Sequence, residues 1–141
     1  MKEYLNGKRN GKGKEYDIFG KLLFEGEYLN GEKNGEGKEY WIGILIFEGE
    51  FKNGERIRKG KEYFLNGKLE FEGEYLNGKR WNGKAYNYSN NIIYSLKNGK
   101  GYIKEYDLFD KLEFEGEYLN GKRNGKGKEY YNNGNLEFEG E

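Results

Sequence analysis

Carboxylates flanking a glycine are the most frequent chemistry-bearing feature of this sequence, beginning with Glu25 and Glu27 and recurring as Glu48 and Glu50, Glu72 and Glu74, and Glu115 and Glu117. Two carboxyls so close could share general acid and base work, but a catalytic pair is singular and set in a pocket. Recurrence in every copy reads as structure. The chain has no His and no Cys, which removes the imidazole base, the thiolate nucleophile, the disulfide and the usual zinc or iron ligand set. Ser89 and Ser95, the two serines, have no His to activate them. Asp107 and Asp110 lack the ligand spacing of a calcium loop, and Gly7, Gly11 and Gly13 sit in hairpin turns and do not precede a helix, so they form no phosphate cradle. No catalytic residue, cofactor or metal site is expected.

What remains is binding chemistry. Basic residues cluster in the turns that follow each Phe-Glu-Gly-Glu run: Lys8 and Arg9, Lys33, Arg56, Arg58 and Lys59, Lys79 and Arg80, Lys97 and Lys100, Lys122 and Arg123. These turns leave one long edge of the predicted fold, where a basic stripe could meet anionic lipid heads at about 1 kcal/mol per group, or simply be solvated. The anion- and lipid-binding candidates are Lys8, Arg9, Arg56, Arg58, Lys59, Lys79, Arg80, Lys122 and Arg123. Two apolar deviations are the partner-binding candidates. Trp41, Ile42, Ile44 and Ile46 make a strand apolar on both faces, which must be covered either by the chain itself or by a partner. Trp81, Tyr86, Tyr88, Ile92 and Tyr94 replace a Gly-rich pattern and read as a binding hot spot, as drift in one repeat or as a kink. Asn87-Tyr88-Ser89 matches the glycosylation acceptor pattern by chance, since no signal peptide is present.

The elements that position these residues come from a repeat. Phe-Glu-Gly-Glu starts at Phe24, Phe47, Phe71, Phe114 and Phe138, a period of roughly 23 to 24 residues with one double step, and such a period means an array of supersecondary units. Leu22, Phe24, Gly26 and Tyr28 alternate with Leu23, Glu25 and Glu27, the signature of a two-faced strand. Lys38-Glu39-Tyr40-Trp41 is a second strand, and the Asn-Gly pairs between strands supply the positive φ of hairpin turns. Among 141 residues, 24 are Gly, so no sustained helix is expected. The prediction is an all-β, single-layer, curled antiparallel β-meander of two strands per repeat, with roughly 13 strands and a ribbon near 60 Å long at about 4.8 Å per strand. Residues 1–141 form one domain of about six repeats, irregular near 81–113. Gly26, Gly49, Gly73, Gly116 and Gly140, each at mid-strand, predict a crease along which the aromatics fold inward.

Phe24-Glu25-Gly26-Glu27-Tyr28, Asn30-Gly31 and Gly35-Glu36-Gly37, with their equivalents along nearly the whole chain, resemble the MORN repeat. The spacing Gly125-Lys-Gly-Lys-Glu-Tyr130 is more similar to the second MORN variant of many bacterial antitoxin-type proteins. The His frequent in that family's turn is Asn10, Asn34 and Asn124 here. The resemblance implies a non-catalytic module for protein contact, dimerisation or scaffolding at membranes, with phospholipid binding linked to the family.

The function expected is therefore a protein-protein interaction module, with an antitoxin or immunity-type neutralising partner and a membrane-surface adaptor as the other readings. Lys+Arg and Asp+Glu are 25 each, and zero net charge makes nucleic acid a minor reading. The chain opens and closes inside a repeat, at Lys2-Glu3-Tyr4 and Phe138-Glu139-Gly140-Glu141, so either the array is cut there or bare edge strands pair into a homodimer or head-to-tail filament. With no apolar run approaching a membrane span and no signal peptide, the location expected is cytoplasmic.

Overall fold

The computed structural model describes residues 4–5, 8–120, 122–130 and 136–140 of the chain. Among them are fourteen strands and no helix: β1 (Tyr4–Leu5), β2 (Lys8–Arg9), β3 (Gly11–Tyr16), β4 (Leu22–Leu29), β5 (Glu32–Trp41), β6 (Ile44–Lys52), β7 (Glu55–Tyr63), β8 (Leu69–Leu76), β9 (Lys79–Tyr86), β10 (Ile92–Leu96), β11 (Lys100–Tyr106), β12 (Leu112–Leu119), β13 (Lys122–Tyr130) and β14 (Leu136–Gly140). Each pairs antiparallel with a chain neighbour, giving an eight-stranded sheet from β3 to β10, a four-stranded sheet from β11 to β14 and the short β1–β2 ladder. This is the all-β antiparallel meander that the repeat predicts, open rather than closed into a barrel. The start of the expected first strand at Lys2 and Glu3, and the turn at 131–135, lie outside the described residues. No helix among the described residues is long and apolar enough to cross a membrane.

Alternation along each strand sorts the sequence onto two faces. On one face the pairing aligns Lys14, Glu25, Lys38, Glu48, Lys61, Glu72 and Lys84 one strand after another, so each charge stands opposite a charge of the other sign. Cross-strand pairs of opposite sign favour this register over a slip. The other face carries Phe24, Phe47 and Phe71, which are 0 to 1% exposed although the sheet has no second layer.

Glycine explains how one layer buries its own aromatics. Gly13, Gly26, Gly37, Gly49, Gly60, Gly73 and Gly83 face one another in a continuous row across seven strands. Phe24 and Tyr28 stand on one face four residues apart, a separation of about 13 Å in a straight strand, yet their ring centroids are 5.5 Å apart, edge to face. The strand is bent at Gly26. Phe47 with Phe51 and Phe71 with Tyr75 repeat the arrangement at 5.6 and 5.8 Å. Phe24 with Phe51 and Phe47 with Tyr75, both at 5.3 Å, join one repeat to the next. The rings lie over glycine, because a β-carbon on Gly37 would sit 2.6 Å from the Phe24 ring.

The row is interrupted once. Where β4, β6, β8 and β12 carry Phe-Glu-Gly-Glu before the next aromatic, β10 has only Tyr94-Ser95 before Leu96, a spacing shorter by two residues. Leu96 faces Gly83, and Ile103 on β11 faces Gly116. Both are buried side chains in the glycine row, and between β10 and β11 only Lys97 and Lys100 exchange backbone bonds, at the turn. The hydrogen bonding of the ribbon therefore divides into two sheets here. The loops carry the array across the break. Gly99 N–H donates to the Trp81 carbonyl and Asn120 N–H to the Gly99 carbonyl on one edge, while Tyr88 N–H and the Ser89 hydroxyl donate to the Asp110 carboxylate on the other.

Candidate functional site

The two long edges of the ribbon differ in chemistry. One edge consists of two-residue turns with both central residues at positive φ, including Asn30-Gly31, Asn53-Gly54, Asn77-Gly78 and Asn98-Gly99, the geometry that Asn-Gly adopts with least strain. The other edge consists of five-residue loops at Asp17–Lys21, Phe64–Lys68, Asn87–Asn91 and Asp107–Lys111, each closed by the same pair of backbone bonds, and of the two-residue turn Ile42-Gly43. Three of its tips are strongly apolar. Ile18 is 92% exposed, Phe19 and Phe109 81% and Leu108 69%, and Trp41, Ile42 and Leu65 follow at about half.

Two of the tips are braced by their own aspartates. The Asp17 carboxylate accepts from Phe19 N–H and Lys21 N–H at 2.9 Å each, and the Asp107 carboxylate accepts from Phe109 N–H at 2.8 Å and Lys111 N–H at 2.9 Å. These short-range bonds between side chain and backbone are what Asp favours in turns. Ile42 stands at φ 51°, a left-handed conformation that costs a β-branched residue about 1–2 kcal/mol and that Asn holds in the polar turns.

The partner-binding candidates divide among three places. Trp41, Ile42 and Ile44 reach the apolar edge, with Ile46 half-buried behind Ile44 on the same face. Tyr88 and Ile92 belong to that edge too, but Tyr88 stacks on Phe64 with centroids 4.0 Å apart, and only Ile92 is exposed. Trp81 lies at the opposite edge, its ring against Gly99. Tyr94 is buried and accepts from Arg80 at 2.7 Å, and Tyr86 lines a cavity at the break. The aromatic face is a closed core rather than an open groove.

Of the basic candidates, the arginines at the second position after the turn glycine fold back over that core. Arg9 lies over Tyr28, Arg56 over Phe47, Arg80 over Phe71 and Arg123 over Phe114, as does Lys33 over Phe24. Each arginine also pairs with a carboxylate: Arg9 with Glu15, Arg56 with Glu39, Arg80 with Glu62 and Glu70, Arg123 with Glu105. Lys8, Lys79 and Lys122 remain exposed on the turn edge, Lys59 is exposed at mid-strand opposite Glu74 in the groove of the charged face, and Arg58 meets Glu50 at 3.1 Å.

Several of the recurring glutamates accept hydrogen bonds within the sheet. Glu25 accepts from the Tyr40 hydroxyl at 2.6 Å, and Glu48 accepts from that of Tyr63. Burial first and then these carboxylates push Tyr40 and Tyr63 up to about 12. Glu27 accepts the Glu36 N–H of the bulge in β5 at 2.6 Å. Burial pushes the Glu62 carboxyl up, but the Arg80 hydrogen bonds and charge, aided by Tyr75 and Arg56, outweigh it and hold it below the usual carboxylate range. On the charged face, Glu25, Glu27, Glu36, Glu48 and Glu50 rim a groove of about 1480 Å³ floored by Gly13, Gly26, Gly37, Gly49, Gly60 and Gly73.

Ile18, Phe19, Leu108 and Phe109 escaped the sequence reading. The signal was present in the near-repeat of Asp17-Ile18-Phe19-Gly20-Lys21 as Asp107-Leu108-Phe109-Asp110-Lys111, where apolar pairs occupy a turn. The family description MORN repeat matches residues 3–17, 24–42, 47–68, 71–81 and 114–136. No curated protein matches the chain.

Proposed function

The chain belongs to the MORN-repeat family, whose members are in general protein- or membrane-binding modules, and from that premise we propose that it is a non-catalytic docking module that takes a partner protein along its apolar loop edge. Ile42 carries the reading. It is about half exposed beside Trp41 and keeps a strained left-handed backbone in a position that Asn would occupy without strain. Strain held at an exposed apolar residue points to use of that residue. Ile18, Phe19, Leu108 and Phe109 extend the same edge with apolar area that gains free energy when a partner removes it from water.

Capture from extract of the native cell with three bait proteins tests this: the chain itself, an Ile42→Asn, Phe19→Ser, Phe109→Ser variant, and a control with Lys8→Glu and Lys79→Glu on the turn edge. The partner is retained by the chain and the control and lost by the edge variant. Equal capture by all three overturns the reading.

A second reading rests on Lys21 and Lys111. With Asp17 and Asp107 turned onto their own loops, the exposed charges beside the two most apolar tips are ammonium groups, which suits an anionic membrane surface. Sedimentation with phosphatidylserine vesicles at low salt separates the two readings. Failure to pellet removes the second.

A further inference from the structure

β10 and β11 follow one another in the chain, yet among the described residues they exchange backbone bonds only at Lys97 and Lys100. In an antiparallel strand, the residues that turn both backbone groups to one side recur at every second position. Counted from Lys100, the seam side of β11 belongs to Tyr102 and Lys104, while the residues between them serve β12. Counted back from Lys97, Ser95 on β10 turns the same way. Ile93 beyond it is the extra residue of a bulge and has no partner on β9.

Toward the turn the seam is shut, since a β-carbon on Gly101 would lie 2.5 Å from the Ser95 carbonyl oxygen. Toward the loop edge it opens into a cavity of about 560 Å³, within the range of about 300–1,000 Å³ usual for ligand sites. Lys104, Glu105 and Tyr106 line it in succession, as do Ile93 and Tyr94 on β10. Successive side chains of a strand point to opposite faces, so three in a row border one cavity only where it meets the edge of the strand. Two strand edges therefore wall it. They are held at both ends, by the Lys97–Lys100 pair and by the Asp110 carboxylate that accepts from Tyr88 N–H and the Ser89 hydroxyl, so the opening is formed in advance of any occupant.

Charge on the lining selects no ionic occupant. Four basic groups, Arg56, Arg80, Lys79 and Lys104, stand against three carboxylates. Glu62 and Glu70 are already paired with Arg80, and Glu105 with Arg123. The rest of the lining is largely aromatic and aliphatic, with Tyr86, Tyr94, Tyr118 and Ile93 among its members.

We propose that an uncharged, extended segment of the partner protein enters this seam from the loop edge and supplies the missing ladder, bonding to Lys104 on β11 and to the Ile93 bulge on β10, with an apolar side chain laid beside Tyr94 and Tyr118. An unpaired strand edge is a template for another chain, and strand addition draws affinity from the main chain and selectivity from the side-chain seats. This rests on the docking reading, whose loop edge supplies Phe64 and Tyr88 to the same cavity, and it specifies the conformation of the segment that docks.

The test titrates the isotopically labelled full chain with acetyl-Val-Thr-Val-Thr-amide, with the same peptide methylated on its backbone nitrogens, and with acetyl-Lys-Thr-Lys-Thr-amide. Saturable amide shifts at Ile93, Tyr94 and Lys104 are expected with the first peptide alone, together with slower hydrogen exchange at Lys104. Lys104→Pro deletes an N–H that β12 does not use, a change that an edge position tolerates. It weakens binding about five- to tenfold, the worth of a lost ladder bond, whereas Lys104→Ala keeps it. The thermal midpoint reports folding, and if Lys104→Pro unfolds, the methylated peptide decides the matter on the unaltered chain. No saturable shift with the first peptide, equal binding of the methylated or the lysine peptide, or shifts confined to the loop tips overturns the proposal. Partner capture that depends on Phe19 and Ile42 while the peptides fail to bind leaves the docking reading standing and removes this one.

Discussion

Gly49 on β6 stands directly opposite Gly60 on β7, and a β-carbon on Gly49 would lie 2.7 Å from the Gly60 Cα and 2.8 Å from the Phe47 ring. Backbone cannot give way as a flexible side chain does, so alanine at Gly49 or Gly60 must open the crease or displace Phe47. The expected loss is about 2–3 kcal/mol, the upper part of the usual overpacking range, read as a lower urea midpoint. Alanine at Gly54 meets no atom within 4 Å but has φ 81°, so its smaller loss comes from backbone strain alone.

Arg80 and Glu62 form a half-buried pair with side chains 19% and 16% exposed, joined at 2.7 Å. Removing the guanidinium in Arg80→Met leaves Glu62 facing the Phe71 core without its main partner, at an expected cost of about 3–5 kcal/mol. Replacing both, as Arg80→Met with Glu62→Leu, recovers part of that loss. A double variant no more stable than the single one contradicts the account.

The same pair sets acid sensitivity. Because the folded Glu62 carboxyl lies below its unfolded value, the unfolded chain binds its proton first as pH falls. The stabilisation is present above about pH 4.3, the free carboxyl value, and disappears as pH drops through the folded value. Urea midpoints between pH 6 and 3 should decline more steeply in the wild type than in the double variant.

Alkaline pH acts through the tyrosines. Tyr40 and Tyr63 are held up to about 12, whereas a free tyrosine ionises near about 10. The folded chain thus keeps protons that the unfolded chain releases, and stability is intact below that free value and falls as pH rises towards 12. Phenolate absorbance should appear late and together with loss of the sheet signal. Tyr40→Phe and Tyr63→Phe together should flatten the dependence.

Ile42→Asn should stabilise the fold by about 1 kcal/mol by relieving left-handed strain while weakening partner capture. A higher thermal midpoint with unchanged capture would mean that the strain has no use in docking.

The break should show in hydrogen exchange. Alternate amides of β10 and β11 that point across the seam have no partner beyond the bonds at Lys97 and Lys100, so they exchange fast. Amides of β6, paired on both sides by β5 and β7, exchange slowly. Equal protection would show that a ladder closes the seam.

Much of this molecule is legible in one dimension because its information is periodic. Alternation of Phe24, Gly26 and Tyr28 with Glu25 and Glu27 gives strands, Asn-Gly gives hairpins, and short hairpins joining successive strands leave an antiparallel meander as the natural arrangement. Even the crease follows, since a mid-strand glycine between aromatics marks a bend. The destination of long side chains was not legible. Arg56 and Arg80 look like solvated turn residues in the sequence, and only the bend at the glycine row brings rings from two strands and carboxylates from two others within reach of one guanidinium. Ile18 and Phe19 look like residues with somewhere to go, yet the Asp17 carboxylate holds their loop outward, away from the core. Sequence alone determined the strand, the turn and the period, which depend on neighbours a few residues apart. Tertiary structure decided which charges are spent internally and which apolar groups are left exposed, because those outcomes depend on contacts between residues 14 to 20 positions apart.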